Sequence, residues 1–241
     1  MNQINPYSIH YIKLGEGGKY EEECIKQEQT IKIDFREVPH DLCINKKWDE
    51  VKEFYKDKHI VQNAATGFVN QLRMLYESSE NTLWITFHDG ALWWCFCDTK
   101  VILNADGTKI RKVKGKWSSN EDVNGNPTLS IDKISGELSK TQAYRGTICE
   151  IKGDIVQYAQ NRINEVKSDT VIETENALKQ LKTLLSKLIK DLYWKDFELL
   201  IDLIFTQGGW QKIALAGGTQ KDFDLYLLQP ITKEKAVVQI K

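Results

Sequence analysis

Charge of one sign is what this chain lacks most plainly: 33 Lys and Arg stand against 34 Asp and Glu, a formal net charge of −1. That balance excludes binding of nucleic acid or a membrane surface by bulk electrostatics and leaves phosphate contacts to a local patch. Long hydrophobic runs are also missing, and none approaches the ~20 residues of a membrane span. The opening Met1-Asn2-Gln3-Ile4-Asn5-Pro6 is polar and uncharged, unlike a signal peptide. Cysteines are few, odd in number and scattered (Cys24, Cys43, Cys95, Cys97, Cys149). Cys95-Phe96-Cys97 has no second pair at zinc spacing, so reduced thiols in a cytoplasmic protein are expected. Gly15-Glu16-Gly17-Gly18 lacks the Lys-Ser/Thr of a phosphate loop. The four histidines have no Ser or Cys at a recognisable nucleophile elbow, and no repeat or low-complexity tract occurs.

What is present suits one large domain or two modest ones in 241 residues. Tyr7–Leu14 reads as a strand ending at the glycine turn, and Ile31–Phe35 alternates apolar and charged residues as a half-buried strand does. Trp48–Lys56 and Asn63–Tyr76 carry helical spacing. Thr82–Phe87 and Ala91–Cys97 flank His88-Asp89-Gly90, a strong hairpin signal. A turn at Asn104–Gly107 and a strand over Gly146–Ile151 complete a strand-rich segment, 1–152, read as a small β-barrel. From Asp154 to Tyr193 glycine disappears and Leu178, Leu181, Leu185, Leu188 and Leu192 form an apolar stripe. That stretch, 153–193, reads as a helical linker, and its 171–193 part offers a surface for a homo-oligomer. The third segment, 194–241, holds a helix over Asp196–Phe205 with Asp196 as its cap, a strand over Trp210–Ala216, and a terminal hairpin. The fold class is therefore α+β.

The hairpin carries the chemistry. Asp222-Phe223-Asp224-Leu225 enters one apolar strand, and Val238-Gln239-Ile240-Lys241 ends the next. A four-residue loop at Pro230–Lys233 pairs Gln229 with Glu234, Asp224 with Gln239 and Asp222 with Lys241. Asp222, Asp224, Gln239 and Lys241 then share one face, because their spacing along each strand is two. A three- or five-residue loop would separate them. A carboxylate, an amide oxygen and a lysine on one face form the kind of set that metal-dependent phosphodiester cleavage uses.

With Trp194-Lys195-Asp196-Phe197-Glu198-Leu199-Leu200 and Gly208-Gly209-Trp210 upstream, this segment resembles the Mrr-like branch of the PD-(D/E)xK nucleases. The likeness spans 194–241. It implies a partial restriction-endonuclease-like α/β domain in which Asp224 is the metal carboxylate and Gln239 replaces the usual acid and completes the Mg²⁺ shell. Lys241 is then the catalytic lysine, and Glu198 the helix glutamate that supports the metal. The family's core continues with a further helix and strand, so 194–241 corresponds to its N-terminal half.

The front segment, rich in aromatics (Tyr20, Trp48, Trp84, Phe87, Trp93, Trp94, Phe96, Trp117), resembles in architecture the PUA-like readers related to EVE and YTH domains. That likeness implies a pocket that holds a flipped, modified base of DNA between aromatic faces. Adjacent strand residues face opposite ways, so one of Trp93 and Trp94 fills the core and the other is free for a pocket. Trp117 sits in Lys112-Val113-Lys114-Gly115-Lys116-Trp117-Ser118-Ser119, where a base could stack beside phosphate-binding Lys114 and Lys116. Lys13 and Tyr20 flank the glycine turn and could line the same mouth. The combined expectation is a modification-sensing DNA endonuclease of a restriction or defence system. A modified-base binding module with a degenerate nuclease part is the alternative, and a protein that oligomerises through its leucine stripe is a third reading.

Overall fold

The computed structural model describes residues 3–58, 60–213 and 224–239. The chain divides into two compact units, 1–167 and 168–241, both of mixed α/β composition with open sheets.

In the first unit, β1 (Ser8–Ile12) lies inside a four-stranded sheet. It runs parallel to β3 (Thr82–His88), and antiparallel to β7 (Ile148–Ile151). β4 (Ala91–Phe96) continues the sheet beyond β3 through a two-residue turn at Asp89-Gly90. Both turn residues have positive φ (48° and 70°), the geometry that matches the right-handed twist of the flanking strands. Parallel pairing of β1 and β3 requires a long crossover. That crossover holds β2 (Thr30–Ile33), α1 (His40–Ile44), α2 (Trp48–Asp57) and α3 (Gln62–Glu77).

Alternation along the strands sends side chains into two cores on opposite faces of the sheet. Ile12, Trp84, Trp93 and Cys95 join Val51, Tyr55, Leu72 and Leu75 of the crossover helices on one side. Ile9, Leu83, Ile85 and Leu92 join Leu129, Leu138, Ala159 and Ile163 on the other. The second side is covered by α4 (Gly136–Ser139) and α5 (Asp154–Ile163). The expected linker therefore starts later than 153. Helix α5 is packed into the first unit by Ala159 and Ile163, and Asn164 clips it to the backbone N–H and C=O of Ile4 (2.8 and 2.9 Å).

The expected barrel is not closed by the described strands. A second sheet, of β2, β6 (Lys109–Lys112) and β5 (Ile102–Leu103), shares a core with the first, but among the described residues its backbone pairs with it only through single bridges such as Cys97 with Val113. The helices of the crossover, 40–77, share the core on that side of the first sheet with Ile31 and Ile33 of β2, so helices as well as strands cover it.

Strand β6 inverts the usual alternation. Lys109 and Arg111 are fully buried whereas Ile110 is half-buried. Lys109 Nζ donates to Phe35 O (2.6 Å) and Arg111 Nη1 to Leu75 O (3.0 Å). Leu75 lies in the last turn of α3, so the guanidinium satisfies a helix-end carbonyl and meets the negative end of the helix dipole. Burial lowers the pKa of both cations.

Gln71 on α3 secures the start of β7: its Oε1 accepts from the N–H groups of Thr147 (2.5 Å) and Ile148 (3.1 Å). Gln71→Leu keeps the apolar stem but strands both donors, so a loss of about 2 kcal/mol is expected. A urea midpoint unchanged from the parent protein would contradict that role.

The second unit begins with α6 (Asp169–Lys190), capped by Ser168, whose hydroxyl accepts from Val171 N. Next comes α7 (Trp194–Gln207), with Tyr193 rather than Asp196 at the cap position; Asp196 instead lies in the first turn. It ends at Gly208-Gly209, where Gly209 takes φ 81°. Among the described residues three antiparallel strands follow, β8 (Gln211–Lys212), β9 (Leu225–Leu228) and β10 (Lys235–Val238), in the order β10-β9-β8.

Candidate functional site

Strands β9 and β10 test the loop argument directly. Their register pairs Leu228 with Lys235, Leu227 with Ala236, Tyr226 with Val237 and Leu225 with Val238. Gln229 N donates to Glu234 O (2.9 Å), leaving Pro230–Lys233 as the loop. Within that loop Lys233 takes φ 62° and donates its N–H back to Gln229 O (2.9 Å). The pairing extends to the open end of the hairpin, where Asp224 N donates to Val238 O (3.0 Å). Continued by one residue, the same register sets Asp224 level with Gln239.

Burial distinguishes the two faces of the hairpin. Leu225 and Leu227 are buried and share a face with half-buried Ala236 and Val238. The alternate face carries Tyr226, Leu228, Lys235 and Val237, of which the last two are exposed. Asp224 and Gln239, both exposed, belong by alternation to this more open face. Asp222 and Lys241 lie outside the described residues.

Helix α7 presents Phe197, Glu198, Ile201, Asp202 and Phe205 as a half-buried stripe, while Leu199, Leu203 and Ile204 are exposed. Asp202 Oδ2 reaches Lys212 Nζ on β8 (3.9 Å), so this stripe faces the sheet, and Glu198 lies one helical turn before Asp202. An Asp carboxylate and a Gln carbonyl are hard oxygen donors, a set that suits Mg²⁺ with water and phosphate completing the shell.

The proposed reader residues are distributed less favourably. Trp117 is 2 % exposed, its Nε1 donating to Thr30 O (3.0 Å). It is a core side chain with a satisfied donor, which corrects the expectation of a stacking platform in a basic loop. Lys114 pairs with Glu80, whose carboxyl the ammonium holds below its usual range. Lys116 is exposed. Lys13 Nζ donates to Tyr144 O (2.8 Å).

Tyr20 sits in an ionic knot. Its hydroxyl donates to Asp34 Oδ1 (2.8 Å) and accepts from Arg36 Nη2 (2.7 Å), and Lys19 and Lys32 lie over its ring. Burial works against charge on Asp34, but hydrogen bonds from Lys19, Tyr20 and Arg36 outweigh it and lower the pKa. The ring packs so closely on Gly15 (φ 80°) that a Cβ there would stand 2.6 Å from Tyr20 Cδ2. Tyr20 is thus committed to structure on all sides.

Trp94 is the exception. Trp93 packs inward, 7 % exposed, and Trp94 points to the opposite face, half-buried. It lines a cavity of about 470 Å³ with Gln3, Ile4, Glu121, Ile163, Asn164 and Glu165. Asn120 fixes the indole: its Oδ1 accepts from Trp94 Nε1 (2.9 Å) while its Nδ2 donates to Ile163 O (2.7 Å). Asn120 escaped the sequence reading, because nothing in Ser119-Asn120-Glu121 marks a contact with helix 154–163.

A second cluster also went unforeseen. His88 Nε2 lies 2.9 Å from Glu22 and 3.2 Å from Asp89, and Nδ1 lies 3.3 Å from Glu21. Burial raises the pKa of Glu21 against the opposing pull of His88. Among the described residues, Glu22, His88 and Asp89 are the only group of three or more potential metal donors drawn together, and all three belong to the first unit. No described helix is long and apolar enough to cross a membrane.

Comparison with known proteins finds no matching family model, and no curated protein or solved structure that matches. Class is therefore carried by architecture alone: a two-unit, mixed α/β protein with open sheets.

Proposed function

We propose that the protein is a modification-sensing DNA endonuclease of a cytoplasmic restriction or defence system, with a PUA-like first unit that reads DNA and an Mrr-like second unit that cuts it. The observation that carries this reading is the hairpin register, which sets Asp224 level with Gln239 at the end of a helix–strand–strand–strand array. Asp224 supplies the negative charge that a divalent ion requires, and Gln239 adds a neutral carbonyl oxygen. Lys241 holds the attacking water, and Glu198 supports the site from α7. A bound Mg²⁺ contributes Lewis-acid polarisation of the phosphate and a more acidic water. The five cysteines, all free thiols, fit a reducing compartment.

One observation favours binding without cleavage as a second reading. The Trp94 cavity is shaped by a fixed indole and edged by Glu121 and Glu165, whose carboxylates are acceptors suited to the amino and ring N–H groups of a flipped base.

The two readings separate in one experiment on the full-length protein, using methylated and unmethylated duplexes with Mg²⁺ or EDTA. The nuclease reading expects Mg²⁺-dependent cleavage that falls to background in Asp224→Ala and persists in Trp94→Ala on high substrate. Cleavage unchanged by Asp224→Ala overturns the site. Binding without cleavage, weakened about tenfold or more by Trp94→Ala, supports the reader alone.

A further inference from the structure

His88 ends β3 with its ring mostly covered, and three carboxylates meet it. Glu21 Oε2 lies 3.3 Å from Nδ1, while Glu22 Oε2 and Asp89 Oδ2 lie 2.9 and 3.2 Å from Nε2. A neutral imidazole has one N–H and an imidazolium two, so three acceptors outnumber the protons in either state. Among the described residues no Lys or Arg forms an ion pair with Glu21, Glu22 or Asp89. Lys13, whose charge acts on Glu21, donates instead to Tyr144 O (2.8 Å). The three carboxylates are thus opposed by one positive charge at most, that of the ring itself.

The two ring nitrogens differ in what holds them. A Cβ on Gly18 (φ 80°) would stand 2.6 Å from Glu21 Cδ, so the glycine makes room for this carboxylate behind the ring. An ionised carboxylate only accepts, so Glu21 takes the Nδ1 proton and the neutral ring turns its Nε2 lone pair toward Glu22 and Asp89. Metal-binding histidines are held in this way, with the second ring nitrogen donating to a carboxylate that fixes the tautomer. Glu22 and Asp89 are exposed, so the lone pair opens toward solvent. The three donor atoms lie within 4.8 Å of one another. The two separations at Nε2 fall near the ~3.3 Å edge of a tetrahedron drawn with metal–ligand bonds of ~2.05 Å.

We propose that Glu22, His88 and Asp89 bind a divalent first-row transition ion of the Zn²⁺ type, with Glu21 orienting His88 from behind. An imidazole nitrogen beside two carboxylates suits Zn²⁺, whereas Mg²⁺ takes oxygen ligands. Three protein ligands leave a coordination position for water or for a donor from another molecule. The ion ties the helical turns of 21–28 to the β3–β4 turn, a link between residues 66 apart in sequence. The inference stands apart from the nuclease reading, since its ligands all belong to the first unit and its ion is not Mg²⁺.

Calorimetric titration of the full chain with Zn²⁺ in excess Mg²⁺ tests it, with Asp224→Ala as background so that the second-unit residues stay out of the measurement. One Zn²⁺ per chain is expected at this site, and His88→Gln removes that equivalent. Asp89→Asn, which keeps a residue tolerant of the positive φ at this turn, weakens uptake tenfold or more, and Glu21→Gln weakens it about tenfold. Circular dichroism of each variant confirms that the fold is retained. No uptake of Zn²⁺, or an equivalent that survives both His88→Gln and Asp89→Asn, overturns the site. Uptake indifferent to Glu21→Gln overturns the orienting role.

Discussion

Trp84→Ala is expected to cost the first unit about 3–5 kcal/mol, a large share of the stability of a domain this size. Trp84 is 0 % exposed on β3, with His10 of β1 on one side and Cys95 of β4 on the other in the sheet register. The His10 ring meets the indole edge to face at 5.1 Å, and the Arg111 guanidinium lies 5.7 Å from its centroid. Truncation therefore opens a cavity the size of an indole. It also removes an aromatic face from a buried cation that has no carboxylate among its hydrogen-bond partners, so the effect belongs at the upper end for an aromatic deletion. Trp84→Phe keeps much of the volume and loses less. The measurement is urea unfolding followed by far-ultraviolet circular dichroism, with the transition of 168–241 as an internal reference. A loss under about 1 kcal/mol would mean that the surrounding helices collapse onto the gap, which the fixed contacts of Arg111 with Leu75 and Asp98 argue against.

Several elements were legible because their signals are local. Asp89-Gly90 between two aromatic runs specified its turn, and Pro230–Lys233 specified both the loop and the register beyond it. Trp48, Val51 and Tyr55 at helical spacing gave α2. The features that escaped depend on partners distant in sequence. The parallel pairing of β1 with β3 spans about seventy residues, and without it the strands read as hairpins of a barrel. Lys109 and Arg111 read as the solvated face of a strand, because the carbonyls that receive them come from Phe35 and from the end of α3. Trp117 looked exposed among lysines, yet Gln29 and Thr30 draw it inward through bonds to its N–H groups (2.7 and 3.0 Å). In the candidate site, the strand-borne residues Asp224 and Gln239 could be placed by parity alone. The pocket around Trp94 could not, since Asn120 and Ile163 reach it from separate segments.

His10 supplies the other large expected effect, a loss of up to about 3 kcal/mol of stability on acidification. It sits on β1 between Trp84 and Glu150, with Ser78 Oγ 3.4 Å from Nδ1. Burial lowers its pKa from 6.5 to about 4; Glu150 opposes the shift and Arg111 adds to it. The folded state thus keeps the ring neutral where the unfolded chain takes up a proton. The contribution is complete above pH 6.5 and is lost as pH falls from 6.5 through 4. Other groups titrate nearby. His40, lowered by burial and then by Lys109, adds a loss of the same sign. Glu21, raised by burial, gains stability as pH falls. Asp34, held low, loses its contribution only below the ordinary carboxylate range. Subtracting the profile of His10→Gln isolates the one ring. The difference between the two proteins should grow steadily as pH falls from 6.5 to about 4 and then level off. Parallel profiles over that window would show that the imidazolium is tolerated in place, and that Glu150 compensates for burial rather than merely opposing it.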